Sequence, residues 1–243
     1  MLFSSKQRFI ITGASSGIGK EIALFLNRLG ATVIGIGRDT GRLNEMKSNA
    51  FRPENVFVEQ KDLTANIEDL SSYVKKLKEK YGKFSGMVYC AGVVPIQPLA
   101  ITDINTVQNT LNINYLAPIF LAKGMADKRN NIGAGTSMVF LSSAAAYISD
   151  KGHLAYAGSK AALCAAVKSM AKEYAKNKIR MNCILPSNIR TSKSPQEYID
   201  SQIQQYPMGF GEPIDVAELA AFLLSKEASW ITGQNYVLDC CSF

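Results

Sequence analysis

The chain has 243 residues, 47% of them hydrophobic and 19% charged, which suits one large α/β domain or two small ones and excludes disorder. No stretch approaches the roughly 20 apolar residues of a membrane helix, and the N-terminus runs from Met1 through Arg8 into the brief run Phe9 to Ile11 without a signal-peptide core, so a cytoplasmic protein is expected. The formal net charge of +7 is spread over helical segments such as Lys75, Lys76, Lys78 and Lys80, which reads as solvated helix faces and not as a nucleic-acid patch.

Short apolar runs alternate with helical periodicity from end to end, the pattern of a parallel sheet covered by helices on both faces. Arg8 to Thr12 reads as the first strand, after which Ile18, Ile22, Phe25, Leu26 and Leu29 mark one face of a helix ended by Gly30. Ala31 to Ile36 is the second strand, a weaker helix lies near Leu43, and Val56 to Gln60 is the third strand. Ile67, Leu70, Val74, Leu77 and Tyr81 repeat at three-four spacing on the next helix. Met87 to Cys90 and Met138 to Ser142 follow as buried strands, separated by a helical stretch through Leu111, Leu116 and Leu121 that Pro118 is expected to bend. Tyr156 to about Lys176 is a long Ala-rich helix, Met181 to Leu185 a strand, Ile214 to Leu224 a helix, and Tyr236 to Leu238 the closing strand. No linker or repeat interrupts this order, so residues 1–243 are expected to form one α/β domain with a doubly wound parallel sheet. The segment Ser187 to Met208 is polar and weakly patterned, which suits a mobile lid over a substrate cleft.

Between the first strand and first helix stands Thr12-Gly13-Ala14-Ser15-Ser16-Gly17-Ile18-Gly19. Glycines at this point let the backbone approach a pyrophosphate lying on the positive helix N-terminus. At the end of the second strand, where an acid would hold a ribose 2'-hydroxyl, the run is Ile36-Gly37-Arg38-Asp39. Arg38 can pair with a 2'-phosphate, which favours NADP over NAD; the plainer alternative is a surface arginine paired with Asp39.

Tyr156 and Lys160 stand four apart at the start of a helix, so both project from one face. An ammonium beside a phenol favours the phenolate and is expected to draw the tyrosine pKa down from about 10 toward working pH. Tyr147 with Lys151 and Tyr174 with Lys178 share that spacing. Tyr147 follows its strand too closely to stand on the helix, however, and Tyr174 lies near the helix's far end, away from the carboxyl edge where ligands bind. Ser143, thirteen residues before Tyr156, ends a strand at that edge and can donate a hydrogen bond to a carbonyl; strand alternation points its neighbour Ser142 to the other face.

With these motifs the sequence resembles the short-chain dehydrogenase/reductase family over almost its whole length, and the resemblance implies a Rossmann fold and a nicotinamide cofactor. The family's glycine turn matches TGASSGIG, with cofactor contacts at Gly13, Ser15, Gly17, Ile18 and Gly19. Its adenine-contacting acid matches Asp62, followed by Leu63, and its strand-end contacts match Ala91 and Gly92. Asn114 in NINYLAP, Ser143 in FLSSAAA, and Tyr156 with Lys160 in YAGSK match its catalytic set; Ile189 and Thr191 in PSNIRT match its contacts near the carboxamide. The resemblance further implies that Lys160 holds the nicotinamide ribose and that Asn114 supports a water relay. Several positions depart from the family: Tyr89-Cys90 replaces its two asparagines, Ser187 its glycine after proline, and Cys240-Cys241 its closing glycine pair. Altered fit or stability is expected from these changes, not loss of activity.

His153, the one histidine, precedes Tyr156 by three residues and reads as a cleft-wall residue with a proton relay as the alternative. The five cysteines are scattered without CxxC spacing, as reduced thiols; neither a disulfide framework nor a metal site is expected. Cys164, Cys183 and Trp230 read as core. The C-terminal run Gly211 to Ala217, with Ser229 to Gln234, looks most like 3-oxoacyl-thioester reductases, although Phe210 stands where those commonly carry arginine. Lys128 with Arg129, and Lys172 with Lys176, suit an acidic acyl carrier protein as well as they suit solvent. The expected activity is NADPH-dependent reduction of a ketone, a 3-oxoacyl thioester carried on acyl carrier protein or CoA. The alternatives are a small-ketone, sugar or polyol dehydrogenase and a non-catalytic NADPH-binding regulator. Ala161, Ala162, Ala165 and Ala166 give the long helix a small-residue face for a homotetramer or homodimer.

Overall fold

The computed structural model describes residues 2–191 and 194–242. Its strands are β1 (Arg8–Thr12), β2 (Thr32–Gly37), β3 (Val56–Gln60), β4 (Gly86–Tyr89), β5 (Ser137–Leu141), β6 (Arg180–Pro186) and β7 (Asn235–Leu238). All the pairings between them are parallel, in the order β3-β2-β1-β4-β5-β6-β7. Every residue of β2, β4, β5 and β6 is buried, which is why these strands read as unbroken apolar runs and not as an alternation.

Helices α1 (Gly17–Arg28), α2 (Thr40–Ser48) and α8 (Pro213–Leu224) enclose one core, including Phe9, Ile22, Leu43 and Leu223. Helices α3 (Leu70–Tyr81), α5 (Ala117–Ala126) and α6 (Leu154–Tyr174) enclose the other, including Leu77, Phe84, Leu121 and Val167. No helix among the described residues is long and apolar enough to cross a membrane.

The stretch expected to bend at Pro118 divides into α4 (Ile104–Leu111), a π-helical turn (Asn112–Leu116) and α5. Pro118 has no N–H for the carbonyl of Asn114, four residues back, so the α-helical ladder cannot run through this point and the helix widens instead. The segment 187–208 contains a short helix, α7 (Gln196–Gln202). Only Ile199 of α7 is buried, too little for a periodic signal. Ser192 and Lys193, which fall within the expected lid, lie outside the described residues.

Trp230 is a correction, because it is 98% exposed and not core. It follows a one-turn helix, Lys226–Ala228, that turns Ala228 fully inward and packs Ile231 against the core, leaving the indole directed away.

Candidate active site

Since all strands run the same way, the loops after β1 to β6 gather at one edge of the sheet, and the order reverses at β1 and β4, where an open α/β sheet forms its ligand crevice. Two cavities lie there, sharing Ile18, Cys90, Gly92 and Val93.

The first, of about 670 Å³, is lined by Gly13, Ser15, Gly17, Ile18 and Gly19 from the turn after β1, and by Arg38 after β2. Asp62 and Leu63 after β3, Ala91 and Gly92 after β4, and Thr191 also line it, whereas Tyr156, Lys160 and Ile189, expected at the cofactor too, line the second cavity. Gly13 adopts φ +67°, and a Cβ there would lie 3.1 Å from the Ala91 amide nitrogen, so a side chain would both strain the turn and press it off the β4 loop. The Thr12 hydroxyl accepts from the amides of Cys90 and Ala91 at 3.0 and 3.1 Å and ties the two loops together. This narrow, glycine-lined cradle at the start of α1 fits a dinucleotide's phosphates.

At the far end, Asp39 caps α2 by accepting from the Arg42 amide and lies 3.5 Å from the Arg42 guanidinium. The alternative partner for Arg38 is thereby engaged elsewhere, and the described residues offer Arg38 no ion pair. Asp62 accepts from both the amide and the hydroxyl of Thr64, and those bonds hold its carboxyl below the usual range. Lys61 lines the same cavity; sequence reasoning passed over it although it adjoins Asp62.

The second cavity, of about 780 Å³, is lined by Ser143, Tyr156, Lys160 and Ile189 among the expected residues. Lys160 is 5% exposed and donates from Nζ to the Leu141 carbonyl at 2.7 Å. Burial lowers its pKa to about 8. Burial also raises the Tyr156 phenol, with hydrogen bonding to Ser143 opposing. The four-residue spacing from Lys160 predicts the reverse for Tyr156. The ammonium lies 5.8 Å from the Tyr156 ring centroid and is anchored to β5, and loss of hydration at the phenol outweighs what it supplies.

Ser143 caps a one-turn helix, accepting from the Ala145 amide at 3.2 Å, and its hydroxyl lies 3.5 Å from the Pro186 carbonyl. Ser142 instead donates to the Lys160 carbonyl at 2.9 Å and accepts from the Cys164 thiol at 3.2 Å, joining β5 to α6. Asn114 is fully buried. Its side chain accepts from the Val93 amide at 3.0 Å and donates to the Val93 carbonyl and the Ser159 hydroxyl. It braces the β4 loop against α6 instead of lining either cavity. A Cβ on Gly92 would come within 2.9 Å of its Oδ1, so the loop passes there only as glycine.

The departures have visible consequences. Burial pushes the Cys90 thiol up to about 12 against the pull of Lys160, which keeps it protonated at neutral pH. The Ser187 hydroxyl is 3.0 Å from the Tyr206 hydroxyl, which also accepts from Asn188 at 2.8 Å. The Tyr206 ring meets Phe210 edge-on at 4.7 Å, so Phe210 packs the base of this segment. Cys240 and Cys241 hold left-handed backbone, φ 59° and 58°, a strain glycine would avoid; the Cys240 thiol accepts from the Met208 amide at 3.0 Å.

A doubly wound sheet with a glycine-lined cleft at its switch point and a buried tyrosine, lysine and serine beside it defines a dinucleotide-binding oxidoreductase. The chain belongs to the short-chain dehydrogenase/reductase family, and the family model described as enoyl-(acyl carrier protein) reductase matches residues 13–240. It is 30% identical to a 3-oxoacyl-(acyl-carrier-protein) reductase of Thermotoga maritima over 95% of each chain. It is 27% identical to an L-rhamnose 1-dehydrogenase (NAD(P)(+)) of a Sphingomonas species, over 95% of this chain and 93% of that one. A solved short-chain dehydrogenase from Burkholderia cenocepacia in complex with NADP is 25% identical and superposes with a TM-score of 0.90, covering 100% of this chain and 99% of that one.

Proposed function

We propose that the chain is an NADPH-dependent carbonyl reductase acting on a 3-oxoacyl thioester carried by acyl carrier protein or CoA. The carrying observation is the position of Tyr156 and Ser143 in a cavity adjoining the glycine-lined cleft. A bound dihydronicotinamide supplies the hydride. The buried phenol, kept protonated, gives its proton to the carbonyl oxygen, and the Ser143 hydroxyl donates a hydrogen bond to that same oxygen. The Lys160 ammonium favours the phenolate left behind. The test is the absorbance decay of NADPH with acetoacetyl-CoA, with NADH as the comparison cofactor. No turnover despite tight NADPH binding would remove the thioester reading.

The likeness to the rhamnose dehydrogenase, together with the polar cavity wall of Ser187, Asn188, Tyr198, Gln202 and Tyr206, favours a sugar or polyol as the second substrate class to assay.

Arg38→Ala is expected to lower the preference for NADPH over NADH by about 10- to 100-fold, the value of a lost charge-assisted hydrogen bond, as measured from KM for each cofactor. An unchanged preference would assign Arg38 to the surface. If segment 187–208 acts as a lid, the Tyr206 hydroxyl is its latch. Tyr206→Phe keeps the contact with Phe210 but loses the bonds to Ser187 and Asn188, and substrate KM is expected to rise about fivefold for roughly 1 kcal/mol, with the melting temperature little changed. Exposed Ala161 and Ala165 on α6 leave room for a second copy, and a homotetramer or homodimer is expected by light scattering at micromolar concentration; a monomer mass would reject that.

A further inference from the structure

His153 stands immediately before the first residue of α6, one turn ahead of Tyr156, with the two ring centroids 6.1 Å apart. Its backbone is pinned on both sides: the amide donates to the Asp150 carbonyl at 3.2 Å, and the carbonyl accepts from the Ala157 amide at 2.7 Å. The ring lines the same cavity as Ser143 and Tyr156. Its Nδ1 is buried and has no hydrogen-bond partner, whereas Nε2 is not buried in that way, which leaves Nε2 as the ring nitrogen open to a ligand.

A polar edge fixed at this place, beside the group that protonates the substrate, discriminates among ketones. Resting on the carbonyl-reduction reading above, we infer that His153 determines specificity by donating a hydrogen bond from its Nε2 edge to a second oxygen on the substrate, carried close to the reacting carbonyl. The substrate class is therefore a ketone with a neighbouring acceptor oxygen, as in a 3-oxoacyl group, and not a simple aliphatic ketone. A ketone lacking that oxygen would desolvate the imidazole edge and return nothing, which is how a hydrogen-bonding site rejects a deoxygenated analogue. Val93, Val94, Ile96 and Ile148 line the cavity with apolar surface and accept the carbon chain of either compound, so the discrimination falls on the polar contact.

The experiment compares ethyl acetoacetate with 2-hexanone, using NADPH and the full chain, in the parent, His153→Phe and His153→Gln. His153→Phe keeps a ring and removes the donor. It is expected to raise KM for ethyl acetoacetate about tenfold, the value of one hydrogen bond, with kcat held, while KM for 2-hexanone falls or stays level because no imidazole edge is left to desolvate. His153→Gln, which restores an N–H donor, is expected to recover most of that loss, a rescue that a merely packing role would not give. His153→Leu carries the same expectation as His153→Phe and replaces it if that variant does not fold. Equal losses on both ketones, or no loss on either, would overturn the inference while leaving carbonyl reduction standing. A parent that binds NADPH but reduces neither ketone would overturn the carbonyl-reduction reading for this substrate class, and the inference with it.

Discussion

Tyr156→Phe is expected to lower kcat for carbonyl reduction by about a thousandfold, within the range that a positioned general acid supplies, while NADPH affinity stays within a few-fold of the parent. The phenol is the acid that burial holds in its protonated form, and phenylalanine fills the same space with no proton to give. Because the phenol lies above its ordinary value, it remains a competent donor across the neutral range. Any fall in kcat/KM as pH rises through 8 therefore belongs to Lys160, whose pKa of about 8 is the lower of the two. Stopped-flow reduction in single turnover, with NADPH binding followed by fluorescence, separates the chemical step from cofactor loading. A Phe variant retaining a tenth or more of the parental rate would move the proton donor elsewhere in the cavity.

Lys160→Met is expected to abolish measurable turnover and yet raise thermal stability. Burial holds the ammonium at about 8 against 10.5 in the unfolded chain, a cost on the order of 3 kcal/mol, and methionine fills similar volume without it. Loss of the donor to the Leu141 carbonyl offsets about 1 kcal/mol of this, leaving a gain of about 2 kcal/mol and roughly 6 °C in Tm for a chain of this size. The sign with pH follows from linkage. Between 8 and 10.5 the unfolded chain binds more protons at this residue than the folded chain, so the parent gains stability as pH rises through that window. The advantage of the variant is therefore full below pH 8 and shrinks toward pH 10. Calorimetry of both proteins at pH 7 and 9.5 measures it, and a variant less stable at pH 7, or a pH-independent gap, would contradict the burial argument.

These two residues also mark how far the sequence reaches. The four-residue spacing of Tyr156 and Lys160 places them on one helix face, and the gathering of both in one cavity agrees with that. The spacing says nothing of the Leu141 carbonyl that holds the ammonium, because the distance from Leu141 to Lys160 along the chain carries no local signal. Trp230 failed for a related reason: a large apolar residue in a turn is placed by which neighbours face inward, and Ala228 and Ile231 took that side. Helix α7 left no periodic trace because it buries only Ile199. His153 was visible as a lone imidazole near Tyr156, but the burial of its Nδ1 without a partner depends on the loops packed around it.

By itself the sequence determined the strands, the long helices, the glycine turn and the order of their succession, because apolar periodicity, strand-to-helix turns and helix stops are local and repeat within a few residues. Strand limits came within a residue or two of the structure, as in Ala31 to Ile36 against Thr32–Gly37. Only the tertiary structure decided what those parts do together. Parallel pairing in the order β3-β2-β1-β4-β5-β6-β7 brings Gly13, Arg38, Asp62, Gly92, Ser143 and Thr191 to one edge, and that closeness, with the dehydration it imposes on Lys160 and Tyr156, is set by contacts between segments far apart in the chain.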